Sequence, residues 1–141
     1  MIFIKKYDII YIVNSKGMIY IRLWHQLLIP KLPRQQLLGQ NRECAALRGR
    51  GWGRRHSVVN YVFTHSPYLL VAYHNLIMDE MIRRGYEPSP VWRDRDWRGA
   101  QLGHQEGWAK PEELNEIIYP EHNEEYLQEC IENLAQKGII I

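Results

Sequence analysis

The stretch from Ser66 to Gly85 constrains the fold more than any other part of this chain. Leu69, Leu70, Tyr73, Leu76, Ile77 and Met81 recur at three- and four-residue spacing, which draws one apolar stripe along a helix. Ser66 followed by Pro67 is a capping residue with proline at the first helical position, and Gly85 is a stop signal. The spacing predicts a core helix over 66–84, and such a stripe needs other helices to bury it. A second helical pattern starts at Pro33, carries Leu37, Cys44 and Leu47 on one side and stops at Gly49. A third runs from about Asn123 to Lys137, with Tyr126, Leu127, Cys130, Ile131 and Leu134 as its stripe and Gly138 after it. A short helix is expected near 111–118. The apolar run "SVVNYVF" is ambiguous between strand and helix. The fold class is therefore all-α: a single compact domain of about three to four main helices joined by long loops. Residues 1–21, rich in Ile and Tyr, read as a strand or a loose arm, so residues 1–20 are taken as an N-terminal extension to a domain over 21–141.

A chain of 141 residues, 45% hydrophobic and 24% charged, is long enough to bury a core. It contains no apolar run of the roughly 18 residues that a membrane helix needs, so no membrane partner is expected. The apolar opening is broken by Lys5, Lys6, Asp8 and Asn14 and lacks a small-residue cleavage site, which argues against a signal peptide. Cys44 and Cys130 both fall on predicted helices, which suits reduced thiols in the cytoplasm. A monomer is expected.

The net charge of +2 hides an asymmetry. Between Lys31 and His56, seven basic residues (Lys31, Arg34, Arg42, Arg48, Arg50, Arg54, Arg55) face Glu43 alone, and the segment carries +6. From Pro111 onward eight glutamates face Lys137 alone, giving −7. A basic helix with a basic loop behind it is the footprint of phosphate contact. The competing reading folds the acidic C-terminal part over the basic one. The DNA-binding set read from this region is Arg42, Gln36, Arg48, Arg50, Arg54, Arg55 and His56.

Metal and nucleotide motifs are missing: there is no HExxH, no CxxC, and "GRGWGRRH" lacks the GK[ST] ending of a phosphate loop. Neither a metal nor another cofactor is expected. Cys44 falls on the core side of its helix, as a structural thiol does. The Arg42–Glu43 pair differs in its setting. Gln36, Gln40, Glu43 and Arg50 share another side of that helix, with Gly39 and Ala46 between them. A carboxylate bordered by small residues in a basic surface can serve as a general acid or base beside a phosphate backbone, although a solvated helix face is the plain alternative. The connection over 87–110 holds three tryptophans and three arginines, a composition that argues against disorder.

These residues carry a resemblance. "LPRQQLLGQNRE" (32–43) resembles the first-helix motif of the phage-type pyrimidine-dimer DNA glycosylases, the T-even endonuclease V family, with Leu32, Gln35, Leu37, Arg42 and Glu43 at the motif positions. "GRRHSVVNYVF" with "DEMIRRGYEP" is similar to the family's central helix, and "IYPEHNEEYLQECIENLAQKG" to its last one. The stretch Arg22 to Gln40 looks closest to a bacterial branch. The resemblance implies a DNA repair glycosylase with abasic-site lyase activity, acting on double-stranded DNA with a damaged or abasic site. In that chemistry an α-amine attacks the sugar carbon, displaces the base, forms an imine and cuts the strand by β-elimination. An α-amine suits the task because its pKa of about 7.7–8.0 leaves part of it unprotonated at neutral pH. The resemblance gives Glu43 the sugar cation and the proton transfers, Arg22 and Arg42 the phosphates, and Ile21 the position of the reactive amine. It implies a flipped nucleotide, kinked DNA and no metal.

The chain departs from the family pattern twice. Some twenty residues precede the position of the reactive amine, which suggests a start at Ile21 or Met18. The end, "KGIII", lacks the aromatic, basic tail of the phage enzymes, a role that the Trp-rich loop 92–108 would have to fill. Two other functions remain open from sequence: a non-catalytic duplex-DNA-binding protein of the same fold, and a protein-interaction domain using an exposed cluster of Trp92, Trp97 and Trp108.

Overall fold

The computed structural model describes residues 2–6, 9–13, 19–20, 22–55 and 59–141. Ile21 and His56, two of the residues singled out above, lie outside the described ones. The fold is mainly helical, as expected. Among the described residues there are three α-helices, α1 (Arg34–Arg48), α2 (Pro67–Arg83) and α3 (Glu124–Gln136). Short 3-10 segments occupy Gln26–Lys31, Asn60–Thr64 and Pro90–Arg93. Strands β1 (Ile2–Lys6), β2 (Ile9–Val13) and β3 (Ile19–Tyr20) pair in order as an antiparallel sheet, with Ile2 opposite Val13 and Ile12 opposite Tyr20. Of the strand or arm expected there, the strand form is the one observed.

Helix α2 is the central element. Its stripe is buried at Leu69, Leu70, Tyr73, Ile77 and Met81, with Leu76 half-buried against the same core. Helix α1 contributes Leu37, Cys44 and Leu47, and α3 contributes Cys130 and Leu134, so both cysteines are buried free thiols. Leu23, Trp24, Leu28, Ile29 and Leu32, from the segment ahead of α1, fill the remaining side. Burying five or six large apolar side chains per layer stabilises such a packing by about 2 kcal/mol per residue.

The end of α2 ties that segment down. Gly85 sits at φ +91°, a conformation in which a Cβ is strained, and it turns the chain out of the helix. Arg84 is then free to reach across. Its Nη1 donates to the Leu32 carbonyl at 2.7 Å, and its Nε donates to Glu80, a buried carboxylate also gripped by Arg83.

The helix expected near 111–118 does not form; the chain there is irregular. Its backbone groups find side-chain partners elsewhere. Gln26 accepts from the Ile118 N–H at 2.9 Å and donates to the Glu116 carbonyl at 2.8 Å, which replaces helical bonding. Prolines at 111 and 120 bracket the stretch.

The long connection over 87–110 is built around two arginines. Arg48, at the last position of α1, is fully buried and donates to the carbonyls of Trp92 (3.0 Å), Asp94 (2.8 Å) and Trp97 (3.1 Å), with His74 Nδ1 2.9 Å away. Arg98 returns the favour to α1, donating to the carbonyls of Arg48 and Gly49. Gly51 allows the tight turn between them: a Cβ there would lie 2.7 Å from the Ala46 carbonyl oxygen. All three tryptophans of the connection are half-buried, and Trp108 packs edge-on against Trp52 at 5.5 Å. The exposed tryptophan cluster that would mark an interaction surface is not formed by them.

Candidate active site

One buried amide organises the site. Gln40 lies one turn before Glu43 on α1, so both side chains leave the same face. Its Nε2 donates to Glu43 Oε2 at 2.7 Å and to the Arg22 carbonyl at 2.9 Å. Its Oε1 accepts from the Trp24 N–H at 2.6 Å and lies 2.7 Å from the Tyr73 hydroxyl. That hydroxyl also reaches the Trp24 carbonyl at 2.6 Å, and the Tyr126 hydroxyl donates to the Leu23 carbonyl at 2.6 Å. Residues 22–24 are thereby tied to α1, α2 and α3 at once. Every bond in this set is made in a low-dielectric interior, where losing a partner is costly.

Glu43 stands half-buried at the edge of this network. Burial pushes its carboxyl pKa up to about 8; Lys137, the Gln40 amide, Arg22 and Arg42 oppose the rise, in that order. A carboxyl poised near neutrality is able both to give and to take a proton at pH 7–8.

Arg22 borders the same place. Its side chain is 11% exposed, lies over the rings of Trp24 (5.6 Å) and Tyr126 (5.9 Å), and donates to Cys130 Sγ at 3.7 Å. Glu129 is 3.9 Å from its Nη2. Its Nε is buried and has no hydrogen-bond partner among the described residues. Lys137, at the C-terminal end of α3, places Nζ 5.2 Å from the centre of the Trp24 ring. Three cations therefore surround one carboxyl whose own charge is suppressed by burial.

The other residues picked from the sequence fall into two groups. Arg42 and Gln36 are half-buried on α1, and the space above Gly39 is open apart from Arg42 Nη2 at 4.0 Å. Arg50, Arg54 and Arg55 are exposed in the turn behind α1, with Arg54 Nε donating to the Arg50 carbonyl. Arg48 is a correction. It is 0% exposed, its Nη1 and Nη2 groups face His74 and the carbonyls of the Trp-rich connection, and its Nε is buried without a hydrogen-bond partner among the described residues, so the guanidinium does not face the surface. Basic charge density in sequence does not distinguish a surface arginine from a buried one.

Sequence reasoning put Gln40 on the Glu43 side of α1 without giving it a role, and missed Trp24, Tyr73, Tyr126 and Lys137 as parts of the site. The three-residue spacing of Gln40 and Glu43 was a usable signal. Nothing local pairs Lys137 with residues nearly a hundred positions earlier.

Among the described residues, one group of side chains has metal-ligand chemistry: Asp94, Asp96 and His104 bring one ligand atom each within 4.8 Å. They are occupied with one another. His104 bridges Asp94 (2.5 Å) and Glu106 (2.7 Å), which raises its pKa to about 9, and Asp96 accepts the N–H groups of Gly107 and Ala109. They serve to shape the connection.

A family model described as pyrimidine dimer DNA glycosylase matches residues 21–94. That range holds Arg22, Trp24, Gln40, Arg42 and Glu43 together with α1 and α2. The chain belongs to the pyrimidine dimer DNA glycosylase family, enzymes of DNA repair that act on DNA carrying pyrimidine dimers. No curated protein and no solved structure matches it. No helix among the described residues is long and apolar enough to cross a membrane.

Proposed function

We propose that the protein is a base-excision glycosylase with abasic-site lyase activity, working on pyrimidine-dimer-type damage in duplex DNA at the site that brings together Glu43, Arg22 and Trp24. The observation that carries this reading is the Glu43 carboxyl, raised to about 8 and held by Gln40 among three cations. Around neutral pH its protonated form assists departure of the base, and its ionised form stabilises the sugar cation and removes the C2′ proton. Arg22 and Arg42 hold the phosphates flanking the flipped nucleotide, and Arg50, Arg54 and Arg55 extend the contact along the backbone.

The lyase step needs an amine. In a chain beginning at Ile21 the α-amino group would lie next to Arg22 and could form the imine with the sugar. No metal or other cofactor enters the scheme, and the protein works as a cytoplasmic monomer. The second reading, a duplex-binding protein without catalysis, rests on the peptide bond ahead of Ile21: with residues attached there, the Ile21 nitrogen is an amide and not a nucleophile. Incision of dimer-containing duplex by the purified protein separates the two. Cutting supports the enzyme, and salt-dependent binding with no cutting supports the alternative.

A further inference from the structure

Helix α3 lies beyond residues 21–94, so nothing in the family match assigns it a part, yet one of its faces holds Arg22. Tyr126, Glu129 and Cys130 stand at i, i+3 and i+4 on that helix and therefore point the same way. The Arg22 guanidinium lies over the Tyr126 ring at 5.9 Å, its Nη1 donates to Cys130 Sγ at 3.7 Å, and Glu129 is 3.9 Å from its Nη2. The Tyr126 hydroxyl meanwhile donates to the carbonyl of the next residue, Leu23, at 2.6 Å. Leu23 is fully buried, so that carbonyl has little water to fall back on. The ring has its own support: it stacks on His122 at 5.3 Å with the planes 25° apart. One rigid side chain thus touches both the guanidinium and the backbone beside it.

We propose that Tyr126 is a positioning residue for the reaction, aiming the Arg22 guanidinium at the phosphate beside the flipped nucleotide. The inference rests on the glycosylase reading above. Tyr126 acts through Arg22 rather than on the substrate: its ring supports the guanidinium, and its hydroxyl sets the backbone from which that side chain leaves. Without the hydroxyl a buried carbonyl is left unpaired, and the chain at 22–23 relieves this by shifting toward water. Arginine recognises a phosphate through a fork of fixed geometry, so such a shift weakens the contact most where the fit must be closest, in the transition state. Displacement of a positioned group by about 1 Å is enough to slow a reaction on the order of a hundredfold. Arg50, Arg54 and Arg55, exposed in the turn behind α1, keep their contact to the DNA backbone in this scheme, so binding survives while the rate falls.

Single-turnover incision of a duplex carrying one pyrimidine dimer, with the full chain in excess at several concentrations, tests this. Tyr126→Phe keeps the ring under Arg22 and removes only the bond to Leu23. The expected result is a maximal rate at least about tenfold lower, with the half-saturating protein concentration changed by less than about threefold. In an Arg22→Lys background, where no guanidinium is left to aim, the same change should slow cutting by less than about twofold. Arg84→Met, which removes the bond from the end of α2 to the Leu32 carbonyl, controls for lost stability and should cut at the wild-type rate. Thermal melts put the variants on one scale of stability. Equal maximal rates for wild type and Tyr126→Phe, or equal slowing in both backgrounds, overturns the role of Tyr126 while leaving the glycosylase reading intact. No cutting by the wild-type chain overturns that reading and this inference with it.

Discussion

The Gln40 amide donates to the Glu43 carboxyl at 2.7 Å while its oxygen accepts the Trp24 N–H at 2.6 Å, so one side chain joins the acid to the segment that carries Arg22. Helix α1 supplies both ends of the relationship through a single turn. The carboxyl is consequently held by the Gln40 amide without depending on DNA for its orientation.

Replacing Gln40 by Leu keeps the volume and removes four polar contacts. The Trp24 N–H, the Arg22 carbonyl and the Tyr73 hydroxyl each lose a partner in the interior. A loss of about 3 kcal/mol in unfolding free energy is expected, read from urea denaturation. The conservative Gln40→Glu change introduces a second carboxyl beside Glu43 and should raise the pKa of the pair further.

Glu43 itself makes stability depend on pH. Its folded pKa of about 8 lies above the value of 4.5 for an ordinary glutamate, so the folded state binds the extra proton between these limits. Folding is therefore weakened by this group as pH rises from about 4.5 to 8, and the cost is complete above 8. Glu43→Gln should stabilise the protein at pH 9 by on the order of 2 kcal/mol, discounted for the solvent-facing edge of the carboxyl, and change little at pH 4. Chemical denaturation of both proteins across that range measures the difference.

Histidines act in the opposite direction. Burial lowers the pKa of His122 to about 3, with a further push from His25, and lowers those of His74 and His25 as well. His122 accepts the Gln26 N–H on one ring nitrogen and meets the Tyr61 hydroxyl on the other. The unfolded chain takes up protons at these residues below about pH 6.5 and the folded one does not, so stability falls as pH drops through that value. At pH 4.5 His122 alone should cost about 2.7 kcal/mol, and His122→Gln should flatten the acid limb of the stability curve.

Arg48 and the surface arginines should separate cleanly in experiment. Arg48→Met leaves no buried charge but frees three carbonyls, and a loss of about 3 kcal/mol together with faster proteolysis within 92–108 is expected. The triple change of Arg50, Arg54 and Arg55 to Gln should leave stability within about 0.5 kcal/mol and reduce the magnitude of the slope of log K against log salt by about 2.7 on duplex DNA.

Much of this architecture was legible in the sequence where periodicity and punctuation agree. The Ser66-Pro67 start, the six-residue stripe and Gly85 placed α2 to within a residue, and the Asn123 start of α3 is borne out by its side chain accepting the Tyr126 N–H at 2.9 Å. The false helix at 111–118 shows the limit of local reading, since the distant Gln26 took over the backbone bonds that a helix would have made. For the site, Arg42 and Glu43 were visible as a charged pair in a basic segment. Arg48 was indistinguishable from its exposed neighbours, because what buries it is a loop fifty residues away. Lys137 and Tyr126 reach the pocket only through the docking of α3.

Incision of duplex carrying a single pyrimidine dimer, by the wild-type protein and by Glu43→Gln, tests the assignment of the catalytic pocket most directly. Wild-type protein should nick the damaged strand, and the variant should bind the same duplex but cut at least about a hundredfold more slowly. Equal cutting by the two proteins would show that the chemistry is not done by Glu43.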